Sequence, residues 1–330
     1  VIKWGILGAG RIAATVGADM AASSGSEVVA VGARDLGRAK TLADALGAPR
    51  AYGSYQELVD DKDIDVIYVA TTHAQHHEHA LLALRAGKSV MVEKAFTLTE
   101  REAREVIDEA RARNLFCMEA MWMRMNPLVR RAVDLVRDGR LGTVVAVNAD
   151  HGQYFPYDPA NRLFDMAAGG GALLDLGVYS AAFGWLFLGE PDTVTSTGSL
   201  APTGADLTAA MQWGYDDGRF AQLSCTSGAA TPCVATVMGT DGWLSLGTPF
   251  YRPLTLTVQR RGEEREVITD SLPGNGFGSE IAEVERCLGA GLTQSELSPW
   301  ADTLGIMRVL DGVRAQLGVH YPADGVGDIA

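Results

Sequence analysis

Over its first third the chain alternates short, β-branched runs with stretches of helical spacing. Residues 3–7, 27–33, 65–70 and 89–92 read as strands, each followed by a helical pattern. That rhythm predicts a parallel, doubly wound sheet with helical crossovers. Residues 35–46 put Leu36, Ala39, Leu42, Ala43 and Leu46 on one helical face, and residues 99–113 open on Thr99 with Glu102 three positions on, a capping box. From about Thr143 the rhythm changes. Residues 143–150, 193–198, 207–215, 219–227, 233–239, 243–246 and 254–260 read as strands, several joined by turn signals such as Asp216-Asp217-Gly218 and Asp241-Gly242. Strands without intervening helices predict a largely antiparallel sheet. Helical spacing returns over residues 280–288 and 301–317. The fold class is therefore α/β, with a doubly wound domain at residues 1–120 and an α+β domain at residues 121–330.

Composition narrows the choice of partners. A chain of 330 residues, 47% of them hydrophobic, exceeds one ordinary core and fits two domains. With 28 Lys and Arg against 41 Asp and Glu, the formal charge of -13 repels nucleic acid and anionic lipid alike. An anionic cofactor must then meet a local basic patch. Cys117, Cys225, Cys233 and Cys287 form no C-x-x-C pair, which suits reduced packing thiols in the cytosol. No apolar run is read as approaching the roughly 20 residues that span a bilayer, and the N-terminal segment lacks the order of a signal peptide. The expectation is a cytoplasmic protein whose partners are small molecules, not nucleic acid or membrane.

Gly8-Ala9-Gly10-Arg11-Ile12-Ala13 follows the first strand and opens a helix, matching G-x-G-x-x-G/A in its proper context. Gly8 permits the tight turn, Gly10 lets the backbone approach a pyrophosphate, and Ala13 allows close helix packing, with the helix N-terminus facing the anion. At the end of the second strand, where NAD sites place a carboxylate, stand Gly32-Ala33-Arg34-Asp35-Leu36-Gly37-Arg38. Two guanidiniums there favour NADP over NAD, because they can fork around a 2'-phosphate. Asp35 is placed either to take ribose hydroxyls or to N-cap the next helix.

Further motifs stand in order along the chain: Thr71-Thr72-His73-Ala74-Gln75-His76, Ala86-Gly87-Lys88, Glu93-Lys94, the segment from Glu119 to Arg124, the run from Gly169 to Tyr179, and Phe277 with Glu280. In type and spacing they resemble the glucose-fructose oxidoreductase and inositol dehydrogenase family across nearly the whole chain. The likeness is greatest to its dimeric trans-dihydrodiol dehydrogenases and NADP-dependent D-xylose dehydrogenases, which carry Tyr where the inositol dehydrogenases carry His. The resemblance implies a Rossmann domain followed by an open-faced sheet domain that mediates assembly into a homodimer or homotetramer. It maps the catalytic lysine onto Lys94, the substrate-side aspartate onto Asp175 and the acid/base tyrosine onto Tyr179. Thr71, Thr72, His73, His76, Glu93 and Lys94 then join Gly8, Gly10, Arg11, Ile12, Arg34 and Arg38 in the cofactor-contacting set. Two departures stand out: Ala95 replaces the proline of Glu-Lys-Pro, leaving the preceding peptide cis or relaxed to trans, and His73 stands where Asn is common.

The chemistry these residues offer is metal-free hydride transfer. Oxidising an alcohol needs a group to take the hydroxyl proton while nicotinamide takes the hydride. A tyrosine beside an ammonium is suited to it, since the charge favours phenolate. His73, His76, His77 and His79 have helix-neighbour spacings that invite a zinc reading, but no carboxylate or cysteine beyond Glu78 completes a shell. Trp122, Arg124, Phe155, Phe250 and Phe277 are candidates for the substrate pocket, the aromatic ones equally for ordinary core. The expected substrate is a small sugar, polyol or cyclic diol, oxidised at CH–OH. The rivals are a dinucleotide sensor without catalysis and a reductase of C=N or C=C bonds.

Overall fold

A computed structural model describes residues 1–324 and divides the chain into two compact units. The first comprises Val1–Met125 with Leu272–Leu304. Its elements are β1 (Ile2–Leu7), α1 (Arg11–Ala22), β2 (Ser26–Gly32), α2 (Leu36–Leu46), β3 (Arg50–Tyr52), α3 (Tyr55–Val59), β4 (Val66–Val69), α4 (His73–Arg85), β5 (Ser89–Glu93), α5 (Glu100–Arg113) and β6 (Cys117–Ala120). The six strands are parallel in the order β3-β2-β1-β4-β5-β6. The order reverses beside β1, whose last residue Leu7 pairs with Gly32 on one side and Val69 on the other. Such a reversal leaves a crevice at the carboxyl ends of the strands. All residues of β4 and β5 are buried, as expected of central parallel strands covered on both faces.

Local chemistry fixes the helix ends. Thr99 accepts from the amide of Glu102, while Glu102 Oε2 accepts from the amide of Leu98 at 3.1 Å, one residue earlier than in the standard box. Asp35 caps α2 by accepting from the amide of Arg38 at 3.0 Å. The domain boundary needs correction, because Leu272–Leu304 clusters with the first unit and not with the second. Asp19 of α1 accepts from the amides of Asn275 and Phe277, at 2.9 Å each, and the Phe277 ring stacks on Trp122. The sequence pattern shows a helix there but not the face it packs on.

The second unit comprises Asn126–Ser271 and the chain from Gly305 onward. It holds α6 (Pro127–Arg137), β7 (Val144–Gly152), a π-helical turn (Leu173–Gly177) running into α7 (Val178–Leu188), β8 (Thr193–Leu200), β9 (Asp206–Gly214), β10 (Phe220–Thr226), β11 (Ala235–Gly239), β12 (Gly242–Leu246), β13 (Thr255–Arg260) and β14 (Glu266–Thr269). After it come α8 (Gly278–Gly289) of the first unit and α9 (Trp300–Leu317). The eight strands run β14-β13-β12-β11-β7-β10-β9-β8, antiparallel except for β7 beside β10. Alternation along β7, β9 and β10 buries Val147, Ala149, His151, Ala209, Met211, Trp213, Ala221, Leu223 and Cys225 on the face that carries α7. Asn148, Gln212 and Gln222 are exposed on the other face, where they help line a depression of about 650 Å³.

One expectation fails here. Met166–Leu188 is 23 residues long and its most apolar 18-residue window has mean hydropathy 1.5, enough by length and composition to cross a bilayer. Its most apolar window is 83% buried, because α7 forms the core under the sheet. Glycine and alanine between the bulky residues hide the run from a reading that seeks continuous large side chains.

Candidate functional site

The turn after β1 is shaped by glycine. Gly8 has φ +114, and a Cβ there would fall 2.7 Å from the carbonyl oxygen of Ala70, so only glycine lets β1 and β4 end this close together. Gly10 N-caps α1 with no side-chain bond, and a Cβ on it would meet nothing within 4 Å. A helix N-terminus without a side-chain cap, facing open space, fits a dinucleotide pyrophosphate. Arg11 is exposed on the first turn, while Ile12 packs on the core of this unit. Across the crevice edge, Arg38 Nη2 donates to the carbonyl of Ala9 at 2.8 Å, and Arg34 lies exposed at the end of β2. Arg38 is thus fixed over the glycine turn, and Asp35 is occupied as the cap of α2.

At the carboxyl ends of β4 and β5 the histidines take separate partners. His76 is fully buried, with Nδ1 2.9 Å from the carbonyl of Ala95 and Nε2 3.2 Å from that of Thr71. Burial, and after it the neighbouring His73, pushes its pKa down to about 3, so the ring is neutral and has one N–H to give. The Lys94–Ala95 peptide is cis, and the carbonyl of Ala95, in the peptide that follows it, is the nearer of the two acceptors. His79 Nδ1 lies 3.0 Å from Thr71 Oγ1, and His77 Nε2 lies 2.8 Å from Glu105. Thr72 caps α4 without a side-chain bond to the helix amides, and His73 is buried on its first turn. Glu93 is buried and accepts from the Tyr68 hydroxyl; Lys94, next along, is half-buried. Among the described residues no group of three or more His, Cys, Asp or Glu side chains is arranged to hold a metal ion.

In the second unit Asp175 lies within the π-helical turn and Tyr179 one turn on in α7, both buried. Arg162 Nη2 reaches both carboxylate oxygens of Asp175, at 3.1 and 3.3 Å. The Tyr179 ring packs 5.4 Å from His151 and 5.0 Å from Tyr251, which themselves stack at 4.5 Å. His151 Nδ1 lies 3.1 Å from the carbonyl of Leu176, and Gln153 Nε2 lies 3.1 Å from His151 Nε2 and 3.3 Å from the Tyr251 hydroxyl. One tautomer satisfies this arrangement: Nδ1 carries the proton and Nε2 accepts from the amide.

Comparison with known proteins gives the family of the chain. The description "Oxidoreductase family, NAD-binding Rossmann fold" matches residues 2–121, and "GFO/IDH/MocA C-terminal domain" matches residues 129–245. The trans-1,2-dihydrobenzene-1,2-diol dehydrogenase of Bos taurus is 36% identical over 98% of this chain and 99% of its own. The chain belongs to the GFO/IDH/MocA oxidoreductase family. Among solved structures, a 3-ketoreductase from Actinomadura kijaniata in complex with NADP and TDP-benzene is 25% identical, with TM-score 0.84 over 96% of this chain and 98% of that one. An aldose-aldose oxidoreductase from Caulobacter crescentus, complexed with glycerol, is also 25% identical, with TM-score 0.86 over 96% and 97% of the two chains.

Placed on this GFO/IDH/MocA chain, the pocket candidates divide between the units. Trp122 and Phe277 stack at 4.2 Å in the first, and Arg124 is buried there in an ion pair with Asp302. Its guanidinium is therefore engaged in the interior of that unit. Phe250 is fully buried in the second, edge-on to His151 and Phe183, and Phe155 packs against Leu163 and Phe164. Three neighbours of Asp175 and Tyr179, namely His151, Arg162 and Tyr251, escaped the sequence reading, as did Gln153, which bonds His151 and Tyr251. The alternation of β7 marks His151 as inward-facing. No local motif marks Arg162, Gln153 or Tyr251.

Proposed function

We propose that the chain is an NADP-dependent dehydrogenase that oxidises a CH–OH carbon of a small sugar, polyol or cyclic diol, reversibly and without a metal ion. The observation that carries the reading is the pairing of Asp175, held by Arg162, with Tyr179 one turn on, in a chain that also keeps Lys94 at the end of β5. Nicotinamide, when bound, supplies the hydride acceptor. Tyr179 takes the hydroxyl proton, Lys94 favours its phenolate, and Asp175 orients the substrate. Gly8 and Gly10 hold the pyrophosphate at the start of α1, while Arg34 and Arg38 receive the 2'-phosphate. The diol named for the Bos taurus relative and the sugar chemistry named for the aldose-aldose oxidoreductase support this substrate class.

A panel of aldoses, inositols and dihydrodiols, assayed with NADP+ and NAD+ before and after exhaustive chelation, tests it. Turnover with NADP+ on at least one class, unchanged by chelation, is expected. Binding of dinucleotide with no turnover on any class would favour a sensor, and turnover restored only by zinc would return the histidines to contention.

A further inference from the structure

The turn that carries Asp175 is held by a carboxylate the sequence does not advertise. Asp206 opens β9 and is 1% exposed. Its Oδ2 accepts from the amide of Leu173 at 2.5 Å, while its Oδ1 is buried with no hydrogen-bond partner among the described residues. Leu173 begins the π-helical turn that contains Asp175, and that turn runs without a break into α7 and Tyr179. Asp206 therefore grips the start of the segment that supplies both residues.

The approach is close. Gly171 has φ +132, and a Cβ on it would fall 2.1 Å from Asp206 Oδ1, so the chain passes directly over the carboxylate. Two further anchors hold the same segment. The Tyr321 hydroxyl donates to the carbonyl of Gly170 at 2.8 Å, and the amide of Gly171 donates to the carbonyl of Leu163 at 2.8 Å, the residue after Arg162.

We infer that Asp206, with Tyr321, is a positioning residue that fixes Asp175 and Tyr179 through the backbone of residues 170–173. The inference rests on the reading of Asp175 and Tyr179 given above. A buried carboxylate is a costly way to hold a backbone amide unless its charge is used, and at the start of a helix it is. The groups facing it are Arg314 of α9, the Tyr321 hydroxyl and Cys225 of β10; Arg314 is in turn held by Asp311 and Asp324. Burial pushes the Asp206 carboxyl up to about 6, against the pull of the Leu173 amide and Arg314. A protonated carboxyl accepts from amides less strongly than a carboxylate, so the grip weakens as pH falls through that value. Turnover then acquires an acid limb near pH 6, separate from ionisation of Tyr179 at higher pH.

Asp206→Asn keeps shape and one acceptor oxygen but cannot titrate. The expected result is a kcat lowered roughly tenfold or more, as for a misplaced reacting group, with NADP affinity unchanged and the limb near pH 6 abolished. Tyr321→Phe, which keeps the ring, should lower kcat severalfold while retaining that limb, and it decides the matter if Asp206→Asn does not fold. Parental kcat in both variants, or parental kcat in Tyr321→Phe where Asp206→Asn does not fold, overturns the inference. Tyr179→Phe is measured alongside. If it is as active as the parent, the underlying site reading has failed; if it is inactive while the other two match the parent, the positioning role alone has failed.

Discussion

Arg38, itself exposed, turns from α2 to donate to the carbonyl of Ala9, and Arg34 is exposed at the end of β2. An exposed arginine contributes most when a phosphate forks onto it, and its loss should be felt by the cofactor that carries that phosphate. Arg34→Asp is therefore expected to weaken NADP at least tenfold while changing NAD affinity little, read by fluorescence titration of each dinucleotide. Equal weakening of both would refute the assignment. At this scale the sequence is explicit wherever one residue type is demanded by its own backbone, as at Gly8, or caps its own helix, as at Asp35. It is silent about His76, whose two carbonyl neighbours lie 5 and 19 residues away.

Among the elements, the long and strongly patterned ones are legible within two residues, β1, β2, α2 and α5 most plainly. Three strands were not read. Arg50–Tyr52 is only three residues long with no buried position, Cys117–Ala120 is buried throughout and so shows no alternation, and Glu266–Thr269 is an edge strand with three of its four residues exposed. The arc around Tyr179 illustrates the same limit, because His151, Gln153, Arg162 and Tyr251 come from β7, a loop after it and the segment after β12. Sheet pairing assembles them; no spacing announces them. Where a cap is legible its contribution is measurable. Thr99→Ala removes the side chain that accepts from Glu102 and should lower stability by about 1 kcal/mol in denaturant unfolding. No measurable loss would mean that the Glu102 bond to Leu98 suffices alone.

For the whole molecule, the groups buried away from the site set how stability responds to pH. Burial pushes Glu119 up to about 7, against its bond to Thr303 and the charge of Arg124, and raises Glu280 well above the usual carboxylate range, with Glu93 and Asp19 adding to the effect. Neither oxygen of Glu280 has a hydrogen-bond partner among the described residues. Raised carboxylates hold protons in the fold that the unfolded chain has already lost, so their contribution is full below about pH 4 and is lost as pH rises through the folded values. His76 acts the other way, its contribution present above about pH 6.5 and declining as pH falls toward 3. Between roughly pH 6.5 and 8 the carboxylates dominate. Tm should fall across that window, and Glu280→Gln should flatten the decline. A Tm that rises from pH 6.5 to 8 would contradict the assignment.

Proton transfer by Tyr179 is the claim on which the functional reading turns. It is tested most directly by the pH dependence of NADP-linked oxidation in the parent and in Tyr179→Phe, which keeps the ring against His151 and Tyr251 and deletes the hydroxyl. The parent rate should rise with an apparent pKa below the ~10 of free tyrosine. Tyr179→Phe should lose on the order of a hundredfold or more in kcat while binding NADP as before. A Tyr179→Phe enzyme with near-parental kcat and an unchanged pH profile would reduce the tyrosine to packing.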